Sequence, residues 1–269
     1  MTKNLMTHIV AGYPSLKESE RIAQIMLDNE VRFLEVQIPF SDPVADGKTI
    51  LRANQVALEN GIKVEDCFLM MKRLSKYADS IANNSKKLKF ASRCKLLFKG
   101  SASADSSKIL FMTYFNIAFN YGLEKFCKKA KDSGCWGVII PDIPIDEEGH
   151  EHYLRICEKY GLMAIQVISP ITPERRLKMI AKVARGVVYC VSHTGTTGAK
   201  KSLSPEIKKY LRRVRKYIDL PIAVGFGISG KKQVQDVLKV ANVAVIGSEL
   251  INTYDESGAL GVEDFLQSL

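Results

Sequence analysis

No stretch of the 269-residue chain approaches the roughly 18 consecutive apolar residues that a membrane-spanning helix needs. The opening residues, "MTKNLMTHIV", lack the charged-then-apolar layout of a secretory leader, so a soluble, cytoplasmic protein with no membrane attachment is expected. The six cysteines (Cys67, Cys94, Cys127, Cys135, Cys157 and Cys190) contain no C-x-x-C pair. That spacing argues against a zinc ribbon or a disulfide framework and for reduced thiols in structural roles. Histidine is scarce, with four residues. His150 and His152, two apart in a segment with helical patterning, diverge and read as exposed side chains, while His8 and His193 stand apart from any acid cluster visible in the sequence. No metal site is expected. The single tryptophan, Trp136, opens an apolar run and reads as core or rim packing.

The chain has 46% hydrophobic and 25% charged residues, enough apolar material for one large core or two small ones. Its formal net charge of +10 suggests nucleic acid at first, but the excess is local. Residues 81–108 hold seven Lys/Arg and one Asp, and residues 200–216 hold eight Lys/Arg and one Glu, which leaves the remainder slightly acidic. The first segment reads as a solvated insertion and the second as a solvated helix face, with an anionic partner as the sharper alternative. Aromatics are sparse in both, limited to Phe90, Phe98 and Tyr210, so no nucleic-acid partner is expected.

Eight short apolar runs recur along the chain, at 5–11, 32–37, 109–114, 136–140, 163–168, 186–192, 221–226 and 243–247. The stretches between them carry apolar residues at helical spacing and often end in Gly or Asn. Strands this apolar are covered on both faces, which suits a parallel sheet. Eight of them over this length predict a single-domain (β/α)8 TIM barrel spanning 1–269. The first strand-to-helix turn has no G-x-G-x-x-G, so a dinucleotide-binding open sheet loses its main support. One segment breaks the rhythm: between a helix ending near Lys76 and the strand at Ile109 lies a basic, then Ser/Ala-rich run too long for an ordinary connection, read as an insertion at about 81–108.

A barrel carries its active site at the C-terminal ends of its strands. Glu35, near the end of the second strand in "LEVQIPFSDPVADG", has apolar flanks, and desolvation there favours a carboxyl that titrates nearer neutrality, as proton transfer requires. The structural alternative is a strand-end acid paired with a basic neighbour. Asp42, ahead of Pro43, reads as a turn former, and Asp46, ahead of Gly47, reads equally as a turn residue or as a second site acid. Glycines in "SHTGTTGA", "VGFGISG" and "GSEL" follow the sixth, seventh and eighth strands, where backbone N–H groups and a short helix N-terminus suit a phosphate. The spacing of "GTTGAKKS" fails the P-loop pattern, which excludes a nucleotide triphosphatase of that kind.

The runs "LEVQIPFSDPVADG", "MTYFNIAFNYGLEKF", "IIPDIPIDE", "YCVSHTGTTGA", "PIAVGFGIS" and "VIGSEL", in this order, resemble the α subunit of tryptophan synthase over nearly the whole chain outside 81–108. The resemblance implies a lyase that splits indole-3-glycerol phosphate into indole and glyceraldehyde 3-phosphate by retro-aldol chemistry, in the biosynthesis of tryptophan. It implies Glu35 as the acid/base, and Asp46 as the acceptor for the indole N–H. Tyr114, Tyr189, Thr197 and Phe226 would line the substrate, Thr197 by loop closure. Gly198, Gly227, Gly247 and Ser248 would hold the phosphate. No cofactor is implied for this half-reaction, and the partner is a β subunit in an α2β2 heterotetramer that carries its own pyridoxal phosphate. The chain departs from the family pattern at Gln37, where glycine is common, and at His8 and His193, which replace residues usually apolar and basic. It also starts almost at the first strand, where the family usually has an extra helix. A docking module that activates a β subunit without cleaving is the competing reading. Another phosphosugar barrel enzyme would need a strand lysine, which none of the eight runs carries in its interior.

Overall fold

The computed structural model describes residues 3–88, 106–191, 204–225 and 227–269, with the side chains of 84–88 left aside. Within these residues eight strands form a closed parallel barrel in chain order: β1 (Lys3–Val10), β2 (Val31–Gln37), β3 (Lys108–Met112), β4 (Gly137–Ile139), β5 (Met163–Ile168), β6 (Val188–Val191), β7 (Ile222–Gly225) and β8 (Val243–Ile246). Closure comes from β1 pairing with β8, with Thr7 opposite Ile246. All eight strands lie within or beside the predicted apolar runs, with ends displaced by a few residues.

Alternation along each strand separates two apolar layers. Met6, Phe33, Leu110, Ile139, Ile165, Ala223, Val243 and Val245 fill the barrel interior. Leu5, Ile9, Leu34, Val36, Phe111, Val138, Val188, Val224 and Ile246 point outward into the larger layer beneath the helices. Trp136 is half-buried against Phe33, ring centroids 5.6 Å apart, and closes one end of the interior layer as packing rather than chemistry.

Local signals place the helices. Ser15 caps the helix Leu16–Asp28 by accepting from the Glu18 N–H at 3.2 Å. Ser204 caps Pro205–Arg215, where Pro205 occupies the first turn and Arg212, Arg213 and Arg215 fill the last, the arrangement that suits the helix dipole. Lys208, Lys209, Arg212 and Lys216 are exposed, so this part of the second basic segment is a solvated helix face.

The helix expected to end near Lys76 instead continues as Val64–Leu88. Its buried stripe runs through Cys67, Met71, Leu74, Ala78 and Ala82, so helical periodicity persists after the large side chains give way to alanine. The first part of the supposed insertion is therefore helix, and residues 89–105 lie outside the described residues. The cysteines at 67, 127, 135, 157 and 190 are free and buried, and Cys94 falls outside.

Candidate active site

The C-terminal ends of β1 and β2 carry three polar side chains at inward positions. Pairing of the two strands sets His8 opposite Glu35 and Val10 opposite Gln37. His8 and Glu35 are each only 4% exposed, and Gln37 is fully buried. His8 Nδ1 lies 3.1 Å from Glu35 Oε1. His8 is therefore not isolated: it is the basic neighbour of Glu35, supplied by the adjacent strand 27 positions earlier in the chain.

The loop after β2 turns Asp46 back over this row, its N–H donating to Pro43 O at 3.0 Å. Gln37 Nε2 donates to Asp46 Oδ2 at 2.6 Å, and Asn54 Nδ2 approaches the same oxygen at 3.4 Å. Asn54 belongs to the helix Lys48–Glu59 and also accepts from the Phe40 N–H at 3.0 Å, tying loop to helix. Asp46 thus forms the turn and has its carboxylate held by Gln37. Burial pushes its carboxyl above the usual 3.8, against the hydrogen bonds from Gln37 and Tyr114 and the nearby His8, while the Glu35 charge adds to the upward shift.

Tyr114 is fully buried just beyond β3, stacked on Phe40 at 5.1 Å, and its hydroxyl accepts the Ala45 N–H at 3.1 Å. The next residue's N–H, that of Phe115, is held by Asp142 at 2.9 Å, so a loop after β4 fixes the Tyr114 wall. Tyr189, half-buried on β6, faces both carboxylates, and burial together with those two charges holds its phenol well above the ordinary range. Gly225 on β7 leaves room for it: a Cβ there would sit 3.2 Å from the Tyr189 hydroxyl.

Gly227 follows β7 in a left-handed conformation, φ 74°, which glycine adopts without strain. Gly247 follows β8 and precedes the helix Ser248–Ser268, whose first turn has no side-chain cap. A Cβ at Gly247 would lie 3.5 Å from His8 Cβ, so this helix start borders the His8–Glu35 pair. Thr197, Gly198, His193 and Phe226 lie outside the described residues. Among the described residues no three His, Cys, Asp or Glu side chains are grouped to hold a metal. His150 and His152 are exposed, as expected.

Sequence reasoning passed over His8, Gln37 and Asn54 as parts of one network. Parity along "LMTHIVA" was the available signal for His8, since it shares the inward set with Met6. Asn54 is buried four residues after Ile50 on a helix face that otherwise buries alanine.

One buried and one half-buried carboxylate, two tyrosines and an uncapped helix start meet at the strand-end mouth of a (β/α)8 barrel, where barrels of this class carry their active sites. The comparisons fix the family. A family model described as "Tryptophan synthase alpha chain" matches residues 1–82 and 89–265. The tryptophan synthase alpha chain of Desulforapulum autotrophicum is 40% identical over 265 residues, covering 98% of this chain and 93% of that protein, and that of Syntrophotalea carbinolica is 37% identical with the same coverage. Among solved structures, tryptophan synthase from Mycobacterium tuberculosis superimposes with a TM-score of 0.82 at 27% identity, covering 98% of this chain and 90% of that one. The chain belongs to the tryptophan synthase alpha chain family, the carbon–carbon lyases that cleave indole-3-glycerol phosphate.

The setting of Asp46 carries a pH signature. Because its folded pKa is raised, the folded state holds this proton more tightly than the unfolded chain, and stability from this group is lost as pH rises through the folded value. Asp46→Asn cannot titrate. The stability of Asp46→Asn minus that of the unaltered protein, read from urea unfolding, should grow as pH climbs from 3.8 through the higher folded pKa, then level off. A difference flat with pH would show that Asp46 ionises as freely in the fold as outside it.

Proposed function

We propose that Glu35 and Asp46 divide the work of cleaving indole-3-glycerol phosphate in this chain. Cleavage needs a proton removed from the glycerol hydroxyl next to the ring and a proton delivered to the ring carbon that leaves. It also needs the charge this puts on the ring nitrogen to be stabilised. Glu35 takes the hydroxyl proton and gives one to the ring carbon, so the O–H electron pair becomes the aldehyde carbonyl while the carbon–carbon bond breaks into the ring. Asp46 accepts from the ring N–H and stabilises the developing positive charge. The observation that carries this assignment is Glu35 Oε2: buried in the barrel mouth, it has no hydrogen-bond partner, while Oε1 is held by His8. One carboxylate oxygen is anchored and the other is available.

Tyr114 and Tyr189 are assigned to line the substrate ring. Gly227, Gly247 and Ser248 offer backbone N–H groups to the phosphate at the ends of β7 and β8, with Gly198 assigned to the same task. Thr197 and Phe226 are assigned to substrate, Thr197 through closure of its loop over Asp46. The half-reaction in this chain uses these side chains and needs no organic cofactor.

A β subunit is the partner of this family, and an α2β2 assembly in the cytoplasm is the arrangement we propose. Apolar side chains on the active-site face support docking there. Val44, Phe119 and Ile171, following β2, β3 and β5, are 79%, 56% and 74% exposed. Beside them a cleft of about 410 Å3 is lined by Ile38, Phe40, Leu58, Ile62, Val64 and Ile117.

Glu35→Gln should lower the rate of indole release by about 10²–10⁴-fold, the span of a lost acid/base group, with glycerol phosphate affinity nearly unchanged. Turnover within a few-fold of the unaltered chain would refute the Glu35 assignment. For the partner, Ile171→Asp should weaken titrated binding of a β subunit by at least about tenfold, since a charge at the centre of an apolar contact is desolvated unpaired. Cleavage by the isolated variant should stay the same, and unchanged β-subunit affinity would move the interface elsewhere.

A further inference from the structure

The lyase reading leaves His8 without a task. It is a buried, titratable side chain on β1, 3.1 Å from the acid/base carboxylate, with its second ring nitrogen, Nε2, unpartnered and buried. The mouth it occupies has an electrostatic difficulty: Glu35 and Asp46 both lie inside, each within reach of the other's charge. The assigned chemistry requires both as carboxylates when substrate arrives, one to take a proton and one to face the ring N–H. Two neighbouring carboxylates drawn out of water do not both ionise readily without a cation beside them. Among the described residues that line this mouth, His8 is the basic side chain in contact with either acid.

We propose that His8 is the positioning residue of this active site: it anchors Glu35 Oε1, aims Oε2 at the substrate and sets a basic group beside the two carboxylates. This rests on the lyase reading and extends it to a residue whose side chain touches Glu35 rather than the reacting atoms. Geometry supports the role independently of titration. His8 is locked by strand register opposite Glu35, by Gly247 behind its Cβ and by burial, so the Nδ1–H to Oε1 contact admits little alternative. The groups facing it are Glu35 and Gln37 from β2 and Asp46 from the loop beyond, with Tyr189 of β6 across the same two carboxylates. Burial alone would lower the imidazole pKa. The Glu35 charge and hydrogen bond, aided by Asp46 and Gln37, override burial, and the proton is held above the ordinary 6.5.

The sign of the pH dependence follows. As pH rises through the elevated His8 value, the cation is lost and the two carboxylates repel without compensation, so activity should fall on the alkaline side. Replacing His8 removes that limb and shifts the acid limb upward, because Asp46 loses the nearby His8 charge that favours its ionised form.

The test measures kcat and KM for indole-3-glycerol phosphate across pH 5–10, in the unaltered chain, His8→Phe and His8→Asn. The folded state of each is checked by its unfolding transition. The phenylalanine variant should lose kcat by about tenfold on the acid limb, the equivalent of roughly one pKa unit at Asp46, with KM little changed. It should also lose the alkaline limb and show its acid limb at higher pH. His8→Asn keeps an N–H donor near the Nδ1 position but no titrating group. It should restore the anchor on Glu35 and raise kcat above that of His8→Phe, yet stay below the unaltered chain at its optimum and lack the alkaline limb. A folded His8→Phe with the kcat and pH profile of the unaltered chain would overturn the proposal and reduce His8 to packing. No turnover by the unaltered chain would instead overturn the lyase reading, and this extension with it. The two failures are thereby told apart.

Discussion

Parallel pairing of β1 with β2 sets the positions of His8, Glu35 and Gln37 at the barrel mouth. With His8 opposite Glu35 and Val10 opposite Gln37, the inward parity of both strands puts imidazole, carboxylate and carboxamide in one row. A slip of one residue in either strand would turn those groups outward beneath the helices and bring Leu34 or Val36 into the mouth. The apolar layers on both sides oppose such a slip. Phe33 packs inside against Trp136, while Leu34 and Val36 sit in the outer core. Closure through β1 and β8 then brings Gly247 against His8, so acid/base groups and helix start share one rim.

The row is expensive to keep. His8 Nε2, Glu35 Oε2 and Gln37 Oε1 are buried without protein partners, and each such group costs about 1–3 kcal/mol. Among the described residues three further buried atoms, Thr7 Oγ1, Thr113 Oγ1 and Arg213 Nε, also lack partners, so half of these orphans gather in this row, where substrate would supply the missing contacts. The hydrogen bonds that do exist are directional. Gln37 and Asn54 converge on one oxygen of Asp46, Tyr114 steadies the loop at Ala45, and Asp142 steadies Tyr114 through its neighbour. Each acid is thereby gripped on one side and left open on the other. Such preorganisation is what an acid/base site requires.

Much of the barrel was legible in the sequence because its strands are nearly pure apolar runs with helical periods between them. Glu35 stood out for the same reason, as a charge interrupting such a run. The glycines after β7 and β8 were readable from position alone. His8 was not, because its significance lies in a contact across 27 residues that only strand register creates. Gln37 looked like a mere departure from a family glycine until its amide was seen on Asp46. The helix Val64–Leu88 ran past its expected end because Ala78 and Ala82 bury as well as larger residues when a strand lies close beneath. Small side chains carry a weak periodic signal.

Catalysis as proposed depends on Glu35 and Asp46 meeting the substrate. A crystal structure of the Glu35→Gln variant with indole-3-glycerol phosphate bound tests it most directly. The account predicts the ring N–H within hydrogen-bond distance of Asp46, the glycerol hydroxyl beside the side chain at position 35, and the phosphate on the backbone of Gly227, Gly247 and Ser248. Substrate bound with its phosphate at another strand end, or with its ring away from Asp46, would contradict it.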